Sequence, residues 1–443
     1  MINTLMENNE KVEIMSDNLQ VVNPNNSVTI STDTENPLIV SYGNTALNDA
    51  FGRLRVSNPH YVFESQSQYD AQPLLFNTVT SGGGSSSAHL PNESAVNMTV
   101  GTGATDYVIR QSKQYLRYQP GKSQMILMTG TMGAAVANVA KRIGYFDNNN
   151  GLFFQQTSSA LSVVRRSYTG GSVSDTPVNQ ASWNIDAMDG NGPSGIELDM
   201  TKSQIFIIDL EWLGVGRVRF GFVVDGTIYY CHELLNTNVL PTVYMTTANL
   251  PVRYEIANTA VSAGASMKAI CCSVSSEGGY DKFGFPFAKG LGSAFASVQA
   301  RRPVFSIKPR LTFNSITNRM DFDITGIEVI SSTYTSYYEV VLNGTLTDSS
   351  FANVDTTYSG MQYDSSATAI TGGIVLACGY AVAGGPGANA TGGVVQKLVK
   401  NPLTVNYAAS DSDILSIVAT STDTQDPPRA AKVGAVISWQ EIR

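Results

Sequence analysis

Arg217-Val218-Arg219-Phe220-Gly221-Phe222-Val223-Val224-Asp225-Gly226-Thr227-Ile228-Tyr229-Tyr230-Cys231 decides the fold class of this chain. Val218, Phe220, Phe222 and Val224 alternate, which puts them on one face of a strand. Asp225-Gly226 is a pair favoured in a two-residue type I′ turn, where both positions need positive φ. Thr227 to Cys231 then returns as the partner strand. Just upstream, Ile205-Phe206-Ile207-Ile208-Asp209-Leu210 reads as a strand buried on both faces. Arg142-Ile143-Gly144-Tyr145-Phe146 and Leu152-Phe153-Phe154 read as a second hairpin around the polar loop Asp147-Asn148-Asn149-Asn150-Gly151.

The same pattern continues in both directions. Tyr107-Val108-Ile109-Arg110-Gln111 and Gln124-Met125-Ile126-Leu127-Met128 precede it. Val304-Phe305-Ser306-Ile307, Tyr337-Tyr338-Glu339-Val340-Val341-Leu342, Leu415-Ser416-Ile417-Val418-Ala419 and a last run from Val433 to Trp439 follow. No long stretch carries a 3.6-residue apolar period, and no fixed repeat is present. The expectation is an all-β chain of tandem β-sandwich, jelly-roll-like domains preceded by an extended N-terminal arm. The expected divisions are an arm at 1–60, a first sandwich at 61–280, a connector at 281–303 and a second sandwich at 304–443. Within the arm, short strands are expected at Val28-Thr29-Ile30-Ser31 and Leu38-Ile39-Val40-Ser41. The Gly-rich run 383–393 reads as a loop at the rim of the second sandwich.

Composition narrows the function. The 443 residues carry 28 Lys+Arg and 36 Asp+Glu, a net charge of −8, which disfavours binding to nucleic-acid phosphates. No apolar run approaches the ~20 residues of a membrane helix, and the N-terminus lacks the pattern of a secretory signal. Charged residues are only 14 % of the chain against about 25 % in ordinary globular domains. Cys231, Cys271, Cys272 and Cys378 match no metal spacing and read as buried free thiols. His60, His89 and His232 are far apart in sequence, so neither a metal nor any other cofactor is expected.

Several motifs invite a chemical reading and each has a plainer one. Gly121-Lys122-Ser123 ends like a phosphate-binding loop, but Leu116 stands where that motif needs glycine, which leaves a β-turn. Asp209 and Glu211 share a strand face beside Trp212, the raw material of a glycosidase. The plainer expectation is that such a strand-end carboxylate faces water or pairs with a nearby arginine such as Arg217 or Arg219. The oxygen-rich loops at 147–151 and 186–192 could hold a hard cation, or simply be Asn/Asp/Gly turns. No GxSxG elbow occurs. Arg165-Arg166 and Arg301-Arg302 read as ion-pair formers. No catalytic residue is assigned, and the expectation is a protein that is not an enzyme.

Asn48-Asp49-Ala50-Phe51-Gly52-Arg53-Leu54-Arg55-Val56-Ser57, Arg117-Tyr118-Gln119-Pro120-Gly121-Lys122-Ser123, Arg142-Ile143-Gly144-Tyr145-Phe146-Asp147, Gly192-Pro193-Ser194-Gly195, the run Asp209 to Arg219 and Leu250-Pro251-Val252-Arg253-Tyr254-Glu255 occur in that order. Over roughly residues 48–280 the chain thereby resembles a widespread family of poorly characterised structural proteins of tailed bacteriophages and related viruses. The resemblance implies a virion component made in the host bacterial cytoplasm, with other virion proteins as partners and a homo-oligomeric state. It carries over no catalytic residues. A tail, neck or fibre position is the leading expectation, with a capsid decoration or head-fibre protein as the alternative. Phe51, Arg53 and Arg55 are the candidate inter-subunit or inter-domain contact, Phe51 as apolar anchor and the arginines as charged hydrogen-bond donors. A further alternative is a carbohydrate-binding host-attachment module. Trp212, Tyr334, Tyr337 and Tyr338 are its candidate stacking faces for a host-surface polysaccharide.

Overall fold

A computed structural model describes residues 46–281, 283–383, 402–425 and 427–443, together with the backbone strands that lie within 5–42 and at Gly393–Val395. The chain is all-β, as expected, and its only helical elements among the described residues are two 3₁₀ turns. The hairpin that decides the fold is present as Val218–Val224 and Thr227–Leu234, with Asp225 and Gly226 both at positive φ (49° and 79°). The second forms from Val139–Phe146 and Gly151–Gln156.

Both hairpins belong to one sandwich. Its first sheet has seven antiparallel strands and runs Ser174–Asn179, Leu161–Ser167, Gly151–Gln156, Val139–Phe146, Val252–Asn258, Tyr107–Ser112, Phe76–Ser81. Its second has eight: Thr227–Leu234, Val218–Val224, Gln204–Leu210, Ser123–Thr131, Ala265–Glu277, Ala95–Val100 and Ser86–Leu90, with His60–Gln66 also pairing Ala265–Glu277. Phe154 of the first sheet meets Phe206, Phe220 and Phe222 of the second with ring centroids 5.0–5.5 Å apart, so the alternating face of the hairpin is the core face. Fully burying each such ring contributes about 1.5–3 kcal/mol.

A second core is built from two further sheets. A six-stranded sheet containing Arg302–Pro309, Leu415–Ser421 and Ser336–Leu342 supplies Phe305, Ile307, Val340 and Ile417. A five-stranded sheet centred on Asp321–Thr333 and Ala431–Ile442 supplies Ile327, Val433, Ile437 and Trp439. The stretch read from sequence as an irregular connector carries two strands, Phe285–Gly290 and Ala296–Val298. Both pair with the C-terminal strand Ala431–Ile442, a partner more than a hundred residues away that local patterning does not reveal. Before the first sandwich, strands at Leu5–Glu7, Glu10–Met15, Asn18–Asn23, Asn26–Ser31 and Ile39–Tyr42 pair in sequence order. The Gly-rich loop at 383–393 lies outside the described residues except for its ends.

Sheet register constrains Gly144 tightly. It sits opposite Phe153, and a Cβ there would lie 2.4 Å from the Leu152 carbonyl oxygen and 2.5 Å from the Phe153 Cα. Both are backbone atoms of the neighbouring strand and have nowhere to retreat. Gly326, also in a strand, has nothing nearer than Ser438 Cβ at 4.0 Å. Gly144→Ala is therefore expected to destabilise the chain by about 1–3 kcal/mol or more, and Gly326→Ala to leave it within about 0.5 kcal/mol. Urea unfolding of the two variants checks this, and equal midpoints would contradict the close approach.

Candidate functional site

Three of the segments quoted above, 48–57, 117–123 and 209–219, meet around Asp209, with Asn48 and Arg219 in contact across 171 residues. Asp209 lies on the central strand Gln204–Leu210 with its side chain fully buried. An isolated carboxylate in such a place is costly, so donors must surround it. Ser123 Oγ (2.8 Å), Tyr230 OH (2.8 Å), Arg55 Nη2 (2.6 Å) and Arg219 Nη2 all donate to it. The Arg219 side chain is equally buried and its guanidinium lies 4.1 Å from the Tyr230 ring centroid. Arg55 Nε also pairs with Glu277 Oε1 at 2.5 Å.

The network holds residues 46–57 against the sandwich. Ala50 N–H donates to Ser123 Oγ (3.1 Å), Arg219 Nη2 to the Asn48 carbonyl (2.6 Å), Arg217 Nε to the Ala50 carbonyl (3.0 Å) and Arg53 Nη1 to the Gly121 carbonyl (3.1 Å). Asp49 caps the loop internally by accepting from the Arg53 backbone N–H at 2.8 Å. Burial works against the Arg55 charge, yet Asp209, Tyr230 and Glu277 together raise its pKa. Burial pushes the Glu277 carboxyl up, opposed by the Arg55 hydrogen bond. Burial, then Asp209, pushes the Tyr230 phenol up. The Arg55 and Tyr230 shifts keep these two donors protonated, whereas the Glu277 carboxylate depends on Arg55 to hold its charge.

Placement of the remaining candidates follows from this. Asp209 is committed to Arg219, as the plainer reading expects. Glu211 Oε1 accepts from Arg217 N–H at 3.0 Å, so the two carboxylates do not form an open acid/base pair. Arg55 turns inward. Arg53 is half exposed and its guanidinium lies 4.6 Å from the centre of the Phe51 ring, which is half buried. Trp212 is partly buried, edge to face with Tyr118 at 6.2 Å, and packs on the first core. Tyr338 is buried in the second core, whereas Tyr337, on the opposite strand face, pairs with Tyr380 at 5.4 Å. Tyr334 is covered by the Arg429 guanidinium at 4.2 Å. These four aromatics therefore do not share one platform.

The other sequence readings resolve as turns and pairs. Residues 119–122 form a turn, with Lys122 N–H donating to the Gln119 carbonyl (3.1 Å) and Gly121 at φ 86°. Asp147 Oδ1 accepts the N–H groups of Asn149 and Asn150 (2.7 and 2.8 Å), and Asp186 accepts those of Met188 and Ser194 (2.8 and 2.9 Å), which is turn chemistry. Arg166 pairs with Asp175 and Arg301 with Glu339. Among the described residues no group of His, Cys, Asp and Glu has the arrangement of a metal site. Cys231 and Cys272 are buried free thiols and Cys271 is partly so. Cys378 departs from expectation and is exposed, because its strand Ile374–Ala381 is the outermost of its sheet.

No family model matches the chain, and no curated protein is similar to it. Solved structures similar in part include a protein of unknown function from Shewanella oneidensis MR-1 (9 % identity, TM-score 0.34), covering 52 % of this chain and 92 % of that one. A glycoside hydrolase family protein from Mycobacterium thermorestibile has 9 % identity and TM-score 0.34, covering 48 % and 99 %. The CBM2 module of the evolved Dit of Lactobacillus casei BL23 phage J-1 has 8 % identity and TM-score 0.30, covering 51 % and 99 %.

Asp209→Asn removes the buried carboxylate paired with Arg219 and one of the two carboxylates paired with Arg55, and is expected to cost about 3–5 kcal/mol. Glu211→Gln, which keeps an acceptor for Arg217 N–H, is expected to cost about 1 kcal/mol or less. Denaturant unfolding followed by tryptophan fluorescence separates them, and a small cost for Asp209→Asn would show that the cluster is not the clamp described. A pH effect attaches to His232, whose Nδ1 accepts the Asn184 N–H at 3.1 Å and whose pKa burial lowers. The unfolded chain then takes up the proton first. The contribution is complete above about pH 6.5 and declines as pH falls below it toward the lowered folded value. His232→Gln should flatten the dependence of stability on pH below about pH 6.5 relative to the parent chain, and an unchanged slope would place the titrating group elsewhere.

Proposed function

We propose that this chain is a non-enzymatic virion structural component of the tail, neck or fibre region, acting through protein–protein contacts made around residues 47–56. One observation carries the reading. In this segment Asp49 is buried and Arg55 is largely enclosed in ion pairs, with Arg53 half exposed, while Leu47, Leu54 and Val56 are 59 %, 50 % and 87 % exposed. Scattered exposed apolar residues need no explanation, but a short segment that turns two of its three charges inward and three large apolar side chains outward does. Its fixed backbone presents those side chains at little entropic cost, which suits assembly. Phe51 and Leu235, itself 59 % exposed, line one surface depression beside this segment. The resemblance over residues 48–280 supports the same reading, because the motif residues serve architecture and leave no carboxylate pair open for hydrolysis.

Mass spectrometry of density-purified particles of the encoding virus should find the chain in fixed proportion to other virion proteins. Its absence from particles would overturn the assignment. Leu54→Ser with Val56→Ser, and separately Phe51→Ala, should leave the isolated chain's unfolding midpoint nearly unchanged and sharply reduce its incorporation. Normal incorporation of both variants would move the contact to another surface.

A further inference from the structure

The two sandwiches enclose a cleft of about 900 Å³ that none of the motifs above accounts for. Its volume falls within the roughly 300–1,000 Å³ of ligand clefts, which favour domain junctions. One wall is the loop 147–150 with Tyr168 and Thr246 from the first sandwich. The other is the hairpin Thr312–Phe313 and Ile316–Thr317 with Tyr407 from the second. Gln114 Nε2 to Asp321 Oδ2 (3.0 Å) and Tyr407 OH to Asn148 Oδ1 (3.2 Å) tie the walls together, so the cleft is preformed.

The chemistry of the walls selects the ligand. The arginines nearby are committed to the protein. Arg319 donates to the carbonyls of Val405 (2.9 Å), Asn406 (2.8 Å) and Tyr407 (3.1 Å) and lies over Tyr115 at 4.4 Å. Arg253 pairs with Glu255 and donates to Asn148 Oδ1 at 2.8 Å. Arg443 donates to the Tyr358 carbonyl and covers Phe313 at 5.0 Å. Apart from Asp147, whose carboxylate caps its own turn, the polar side chains left facing the space are neutral. Among the described residues, the side chains of Asn149, Asn314, Ser315 and Thr317 are exposed and make no hydrogen bond within the chain. Tyr168, 39 % exposed, adds an aromatic ring. At the hairpin tip Asn314 and Ser315 both hold positive φ (49° and 64°), which fixes the direction of their side chains.

Uncommitted amides and hydroxyls beside an aromatic ring, with cations withdrawn, match a ligand rich in hydroxyls and without charge. An anion would find no free guanidinium in the cleft. We propose that the cleft between the sandwiches binds a neutral oligosaccharide, with Tyr168 as the stacking ring and Asn149, Asn314, Ser315 and Thr317 as hydrogen-bonding groups.

Affinity electrophoresis of the full chain in gels containing dextran, mixed-linkage β-glucan, galactomannan or arabinoxylan tests this. Heparin serves as the charged comparison. Retardation by at least one neutral polymer is expected, and Tyr168→Ala, or Asn149→Ala with Asn314→Ala, should weaken it by about tenfold or more. These residues are at the surface, so unfolding midpoints should be unchanged. Tyr380→Ala, on a different exposed face of the second sandwich, should bind like the parent. Loss of retardation with Tyr380→Ala and not with the cleft variants would overturn the proposal. So would retardation by heparin alone, or by none of the neutral polymers. The virion assignment is read separately, from particle composition, and does not fall with it.

Discussion

One buried carboxylate organises the first sandwich. Asp209 sits at the centre of a sheet where water does not reach, and its charge is tolerable only while Arg219, Arg55, Ser123 and Tyr230 all point at it. Those donors come from a loop, two turns' flanking strands and the strand next to its own. Satisfying one anion therefore fixes where residues 46–57 lie, how the turn at 119–122 meets the sheet and which way the Val218–Val224 hairpin faces. Replacing a whole buried ionic cluster by well-packed apolar residues is often neutral for stability, whereas removing one member is strongly destabilising. That asymmetry is what makes such a cluster specify an arrangement.

A similar economy holds at Glu255. Burial raises its pKa, but Arg253, Arg142 and Arg166 reverse the effect and lower it overall. Arg253 reaches from there to Asn148 at the rim of the interdomain cleft. Arg253, Arg142 and Arg166 are thus built into the fold, as Arg55 and Arg219 are at Asp209.

What could be read from the sequence was what local pattern encodes. The Asp225-Gly226 turn and the alternating run before it were legible because two-residue hairpins are set by adjacent residues. The strands Phe285–Gly290 and Ala296–Val298 were not, because their partner is the C-terminal strand and their own sequence is dense in Gly, Pro and aromatics. Arg219 was legible as one possible partner of Asp209 because it lies nearby in sequence, whereas the full burial of that carboxylate was not. Arg55 and Glu277 were not visible as members, since a contact across 222 residues leaves no local trace. The aromatics fared as periodicity allows: Tyr337 and Tyr338 must face opposite ways on a strand, so a shared platform was never open to them.

The loop at 147–150 shows why a site between domains escapes sequence reading. Taken alone, Asp147-Asn148-Asn149-Asn150 is turn chemistry, and Asp147 does cap the turn. Only the second sandwich, supplying Asn314, Ser315 and Tyr407 from more than 160 residues further on, turns the spare amide of Asn149 into one side of a cleft. The same arrangement separates two tasks by chemistry. Charged residues, whose pairing is strong and directional, hold segments 46–57 and 209–219 in register. Neutral amides, hydroxyls and exposed apolar side chains, each weak alone, are left where a partner or ligand can gather several at once. A chain built this way keeps its fold insensitive to salt at the surface while leaving its contact faces free to vary, because the buried ion pairs are screened far less than exposed ones would be.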